Sequence, residues 1–129
     1  MIAQSADSFE DINQRVYKHL TDRDWDNLPP RGLATSIALE ANELLEHYQW
    51  SDKPVGGKED LASELADILI FCFEYAQVTD IDMAEAIKTK LAKTAEKYPA
   101  EHFKGKTEGE KRSAWLHAKQ QHREKKKGL

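Results

Sequence analysis

LEANELLEHYQW, residues 39–50, sets Glu40, Glu43 and Glu46 three apart among apolar residues. The stretch reads as helix, and side chains at that spacing are neighbours on a helix surface. Three stacked carboxylates repel one another unless solvent, a Lys or Arg from elsewhere, or a metal ion lies between them.

A second stretch repeats the pattern. In SELADILIF, residues 63–71, Glu64 and Asp67 stand three apart beside Leu65, Ile68 and Leu69. Asp forms mid-helix structure poorly, and a local conflict of this kind tends to mark a site. Two adjacent antiparallel helices can bring Glu40 and Glu43 opposite Glu64 and Asp67. Four partly buried carboxylates without counter-charge are strongly destabilising. A hard divalent cation with oxygen ligands, such as Mg²⁺, resolves the conflict. A solvated acidic face satisfied by Lys or Arg is the competing reading. A di-iron carboxylate bundle needs Glu-x-x-His, and His47 falls four after Glu43 and one after Glu46. His19, His47, His102, His117 and His122 show no metal-ligand spacing. There is no glycine-rich phosphate loop, zinc spacing or serine nucleophile elbow.

Around these two segments the chain reads as all-α, a bundle of four to five helices. Phe9, Ile12, Val16 and Leu20 predict a first helix over 8–20, with Asp7 as N-cap and Glu10 completing a capping box. Pro29 and Pro30 suit the start of a second helix, read from Arg31 to Gln49 or Trp50. After the turn residues Pro54, Gly56 and Gly57, a third runs over 59–77. Ile70, Phe71 and Phe73 widen its apolar stripe almost all the way round, which suggests burial against a second subunit. A fourth opens at Asp82, with Glu85 in capping-box relation, and stops before Pro99. A fifth, low in apolar content, runs from Thr107 to about Lys126.

The 129 residues fit one domain over 1–105 followed by a basic C-terminal helix or tail over 106–129. No apolar run reaches the roughly 18 residues of a membrane span, and no signal peptide is visible. Cys72, the single cysteine, sits among apolar residues and reads as a buried, inert thiol in a reducing cytoplasm. The net charge of −4 hides an asymmetry: nine basic and three acidic residues fall between Lys104 and Lys127. The remaining acidic body suits cations and makes a nucleic-acid partner unlikely. A solvated terminal helix is the simplest account of the lysines.

The order Glu40-x-x-Glu43 and then Glu64-x-x-Asp67 resembles the E-E-x-x-E … E-x-x-D signature of the all-α nucleoside triphosphate pyrophosphohydrolases, the MazG-like proteins. The likeness is greatest to their short branch, which includes dCTP pyrophosphatase. Arg23-Asp24-Trp25, Gln49-Trp50, and Lys90, Thr94, Tyr98 and Pro99 match further segments of that branch. The resemblance covers about Phe9 to Gly105. It implies an oligomeric helical bundle, a homodimer or homotetramer. It also implies hydrolysis of a nucleoside triphosphate to the monophosphate and pyrophosphate, with Mg²⁺ as cofactor and Mn²⁺ able to substitute. By position, it makes Glu40, Glu43, Glu64 and Asp67 the metal ligands. Trp25 and Trp50 become walls of the base pocket, with Phe71 beside it. Lys90, Thr94, Lys97 and Tyr98 become phosphate or sugar contacts. Glu43 or Glu46 is the candidate base for the attacking water. The chain departs from the pattern at Leu39, where the signature begins with Glu, and at Thr94, where Asn is usual. Phe71 stands where dCTP-preferring relatives can have Tyr, so base preference stays open. The alternative to an enzyme is a helical oligomerisation or partner-binding module whose acidic face meets a basic protein.

Overall fold

A computed structural model describes residue 2 and residues 4–128. It contains five α-helices and one short 3₁₀ turn, with no strand among the described residues. The chain divides into two compact units, Met1–Met83 and Ala84–Leu129.

The first unit holds α1 (Phe9–Thr21), α2 (Pro30–Glu46) and α3 (Lys58–Val78). The capping box of α1 forms one residue later than Asp7 and Glu10 suggest. Ser8 is the N-cap, its Oγ accepting from Asp11 N–H at 3.1 Å, while Asp11 Oδ2 accepts from Ser8 N–H at 2.9 Å. Helix α2 stops at Glu46 and not at Gln49 or Trp50. Its last N–H groups, on Tyr48 and Gln49, bond to carbonyls three residues back, which tightens the chain out of α geometry.

Helices α1 and α3 end in the same device. Asp24 and Asp80 both take the left-handed conformation at φ 56°. Beyond them, Trp25 N–H reaches Leu20 O at 2.9 Å and Ile81 N–H reaches Ala76 O at 2.9 Å. These are Schellman stops with Asp in the position glycine usually takes. The first of them fixes where Trp25 leaves the helix.

Helices α2 and α3 form the main packed pair, and the connection 47–57 sends α3 back along α2. Helix α1 lies beside the C-terminal half of α3. Phe9 packs on Phe73 with ring centroids 5.0 Å apart, and Gln77 Nε2 donates to Asn13 Oδ1 at 3.0 Å. Among the described residues the buried apolar core is small: Leu20, Leu33, Phe73 and Ala76. Glu74 is buried as well, with Oε1 lacking a hydrogen-bond partner. Burial pushes the Glu74 carboxyl above its ordinary value. Cys72 is free and half-buried, so it is less enclosed than its apolar neighbours suggest, and burial raises its thiol. Leu39, Leu45, Leu65, Leu69 and Ile70 remain exposed on α2 and α3.

The second unit contains α4 (Met83–Lys97, whose first residue closes the first unit), a 3₁₀ turn (Ala100–His102) not expected from the residue pattern, and α5 (Glu108–Lys127). Thr107 and Glu110 cap α5 as expected, each satisfying the other's N–H at 3.2 Å. Tyr98 and Phe103 meet edge to face at 5.9 Å around the turn. Among the described residues no helix is long and apolar enough to cross a membrane.

Candidate metal centre

The α2–α3 pair does what the spacing of its carboxylates requires. Residues 40 and 43 lie on one face of α2, and residues 64 and 67 on one face of α3. Because α3 returns along α2, the two faces meet. One oxygen from each of Glu40, Glu43, Glu64 and Asp67 falls within 4.8 Å of the others. Glu40 and Glu64 are half-buried and Glu43 is exposed, so the cluster opens to solvent on one side.

Electrostatically the cluster is unbalanced. The Glu40 carboxyl is pushed above its usual range, first by burial, then by its hydrogen bond with Glu43, then by the charges of Glu43, Asp67 and Glu64. Its Oε2 is buried with no hydrogen-bond partner. An orphaned buried oxygen, on a carboxyl crowded by like charges, is the arrangement a hard cation relieves. The donor set is oxygen alone, which fits Mg²⁺ or Mn²⁺ rather than a softer metal.

Sequence reasoning passed over one residue here. His47, just after α2, is half-buried and reaches Glu64 Oε1 through Nε2 at 3.5 Å, while its Nδ1 accepts from Gly56 N–H at 3.2 Å. The available signal was a histidine at a helix end followed by a loop with two adjacent glycines. Glu46 stands apart from the four: it is exposed, and its Oε1 accepts from Asn42 Nδ2 at 3.2 Å.

The aromatic candidates of the first unit occupy different settings. Trp25 is 50% exposed, with His19 edge-on at 6.2 Å and the Arg23 guanidinium 5.9 Å from its ring. Trp50 is 82% exposed in the loop beyond α2. Phe71 is half-buried on α3.

Lys90, Thr94, Lys97 and Tyr98 belong to the second unit. Lys90, Thr94 and Lys97 line a cleft of about 500 Å³ whose other wall, on α5, includes His122, Lys125 and Lys126. The His122 imidazole is held below its ordinary value, first by the charge of Lys97, then by burial, then by Lys126, Lys125 and Lys90. Lys97 Nζ lies 5.2 Å from the Tyr98 ring.

The chain is similar to known proteins. Mouse dCTP pyrophosphatase 1 is 27% identical over 107 residues, or 76% of this chain. The match spans 63% of that relative's own length. The crystal structure of a pyrophosphatase from Archaeoglobus fulgidus superimposes with a TM-score of 0.59 at 27% identity, covering 77% of this chain and 99% of the archaeal one. The profile of the MazG-like family matches residues 35–111, a segment that contains all four clustered carboxylates and most of the chain, and the protein is a member of the MazG-like family.

Proposed function

We propose that the protein hydrolyses nucleoside triphosphates between the α and β phosphates, with a divalent cation as cofactor, releasing a monophosphate and pyrophosphate. The observation that carries this reading is the meeting of four carboxylates from two helices, one of them with a buried unpartnered oxygen. A triphosphate is itself anionic, so an acidic pocket attracts it only through cations. When bound, the cation neutralises the phosphate chain, polarises the phosphoryl group under attack and stabilises the leaving pyrophosphate. Glu40, Glu43, Glu64 and Asp67 hold it.

The remaining tasks fall to side chains. Glu43, the exposed member of the cluster, or Glu46 beyond it, takes the proton of the attacking water. Trp25, Trp50 and Phe71 offer aromatic faces to the base, orienting the substrate. Lys90, Thr94, Lys97 and Tyr98 contact the phosphates or sugar. The apolar side chains left exposed on α2 and α3 are the surface through which copies of the chain associate as a homodimer or homotetramer. Mouse dCTP pyrophosphatase 1 makes a dCTP-like deoxynucleotide the first substrate to try.

The test is a panel of ribo- and deoxyribonucleoside triphosphates, canonical and base-modified, assayed with Mg²⁺ for both pyrophosphate and orthophosphate. The expected product is pyrophosphate, in equal amount with the monophosphate. Orthophosphate with a diphosphate, or intact nucleotides across the panel, would reject the reading.

A further inference from the structure

The two nitrogens of His47 have different partners, and one of those partners fixes the chemistry of the other. Gly56 N–H can only donate, so Nδ1, 3.2 Å away, must accept. In a neutral imidazole the proton then resides on Nε2, which faces Glu64 Oε1 at 3.5 Å. Neither nitrogen keeps a lone pair for an ion, so His47 is not a ligand in this arrangement. It is a donor held against one.

The loop 47–57 is folded to hold the ring there. The His47 carbonyl accepts from Val55 N–H at 2.8 Å, so backbone and ring are both fastened to the same two-residue stretch. Gly56 can approach this closely only because it has no side chain. A Cβ there would stand 2.6 Å from His47 Cε1 and 2.7 Å from Nδ1, well inside contact distance. Any larger residue must push the ring away from its present place. Both Gly56 and His47 lie outside the set of four carboxylates and contribute no ligand, yet the contact from Nε2 ends on one of them.

We propose that His47 is a positioning residue: its Nε2–H steadies the Glu64 carboxylate against repulsion by Glu40, Glu43 and Asp67, and Gly56 dictates which ring nitrogen carries that proton. Four carboxylates that repel one another spread apart before an ion arrives. A neutral donor reaching one of them from outside the group reduces that spreading without adding charge. With one oxygen of Glu64 steadied, the other is left for the cation, and less reorganisation accompanies binding. Outer partners of this type typically alter metal affinity about 10- to 100-fold. The inference rests on the cation reading of the cluster.

The experiment measures Mn²⁺ binding to the full chain by the free-ion paramagnetic resonance signal. Wild type is compared with His47→Phe, His47→Gln, Gly56→Ala and the control Glu43→Gln. Affinity falls about 10- to 100-fold in His47→Phe. It recovers substantially in His47→Gln, whose amide can both donate to Glu64 and accept from Gly56. It falls again in Gly56→Ala, which retains the histidine but displaces it and covers the case in which His47→Phe fails to fold. Nitrogen-15 NMR of the metal-free protein finds the Nε2–H tautomer at His47 in wild type, lost in Gly56→Ala. A merely space-filling role for the ring would not move that readout. Wild-type Mn²⁺ affinity in a folded His47→Phe protein, or an Nδ1–H tautomer in wild type, overturns this inference and leaves the cation reading standing. A wild-type protein that binds no Mn²⁺ overturns the cation reading, and this inference with it.

Discussion

The α2–α3 carboxylates and the lysine-lined cleft between α4 and α5 are opposite in sign and alike in crowding. In each, like charges gather and a titratable group yields: Glu40 is pushed toward its neutral acid, and His122 toward its neutral base. The leading causes differ. For Glu40 it is burial, with its neighbours' charges following, and one of its oxygens has no partner. For His122 it is the charge of Lys97, and the residue is exposed, where water and salt can absorb the repulsion. Accumulated charge does not by itself make a site. What distinguishes the acidic cluster is that two packed helices hold its members together while partly withholding solvent.

That contrast can be broken most directly at its acidic end. Glu43→Gln and Asp67→Asn should each lower turnover of the preferred triphosphate by about 10²- to 10³-fold, on the scale of losing a group that stabilises transition-state charge. Steady-state pyrophosphate release measures this. The same variants should lose the stabilisation that Mg²⁺ gives wild type, which is about 2.7 kcal/mol at a hundredfold excess over Kd. Calorimetric melting with and without the ion reads that loss. Without metal they should melt no lower than wild type, because each removes one repelling charge. A metal-free variant that melts well below wild type would show that the cluster is a structural network and not an ion site.

A smaller effect belongs to Glu74, where burial acts with no like-charged cluster around it. Its folded-state pKa is raised, so the native state holds the proton more tightly than the unfolded chain does. Stability from this group is therefore fully present below the unfolded carboxylate value and is lost as pH rises through the raised folded value. Glu74→Gln should be more stable than wild type at pH 7, by on the order of 1 kcal/mol, the scale of an unsatisfied buried group. The gain should shrink as pH falls through the carboxylate range. Urea melts at several pH values test both the sign and the trend.

The smallest effect is at His122. Its titration midpoint, followed by NMR, should lie below the ordinary histidine value and move upward in Lys97→Met and with added salt. Insensitivity to both would mean that burial, not the lysines, holds it down, and the parallel with Glu40 would fail.

Much of the fold was legible because helix signals are local. The Thr107–Glu110 box was written in the sequence and forms as expected. At α1 the local code allowed two registers, since Asp7 with Glu10 and Ser8 with Asp11 both satisfy the pattern, and the structure uses the second. The end of α2 was less legible. HYQW has ordinary helix formers and no breaker, yet the chain leaves the helix at His47 because its carbonyl and ring are engaged by Val55 and Gly56 across the loop. The stops at Asp24 and Asp80 were equally hidden, because Asp adopts the left-handed conformation only occasionally and no glycine announces it.

Sequence alone determined that the chain is helical, that Glu40 shares a face with Glu43 and Glu64 with Asp67, and that these pairs stand among apolar neighbours. Those are consequences of a 3.6-residue repeat, which acts within one segment. Only tertiary structure decided that the two faces meet within 4.8 Å, that Glu46 stays outside, and that a glycine nine residues beyond His47 controls the ring touching Glu64. Those outcomes depend on how α3 returns along α2 and how the loop between them closes, and no spacing within a single helix encodes a distance between two.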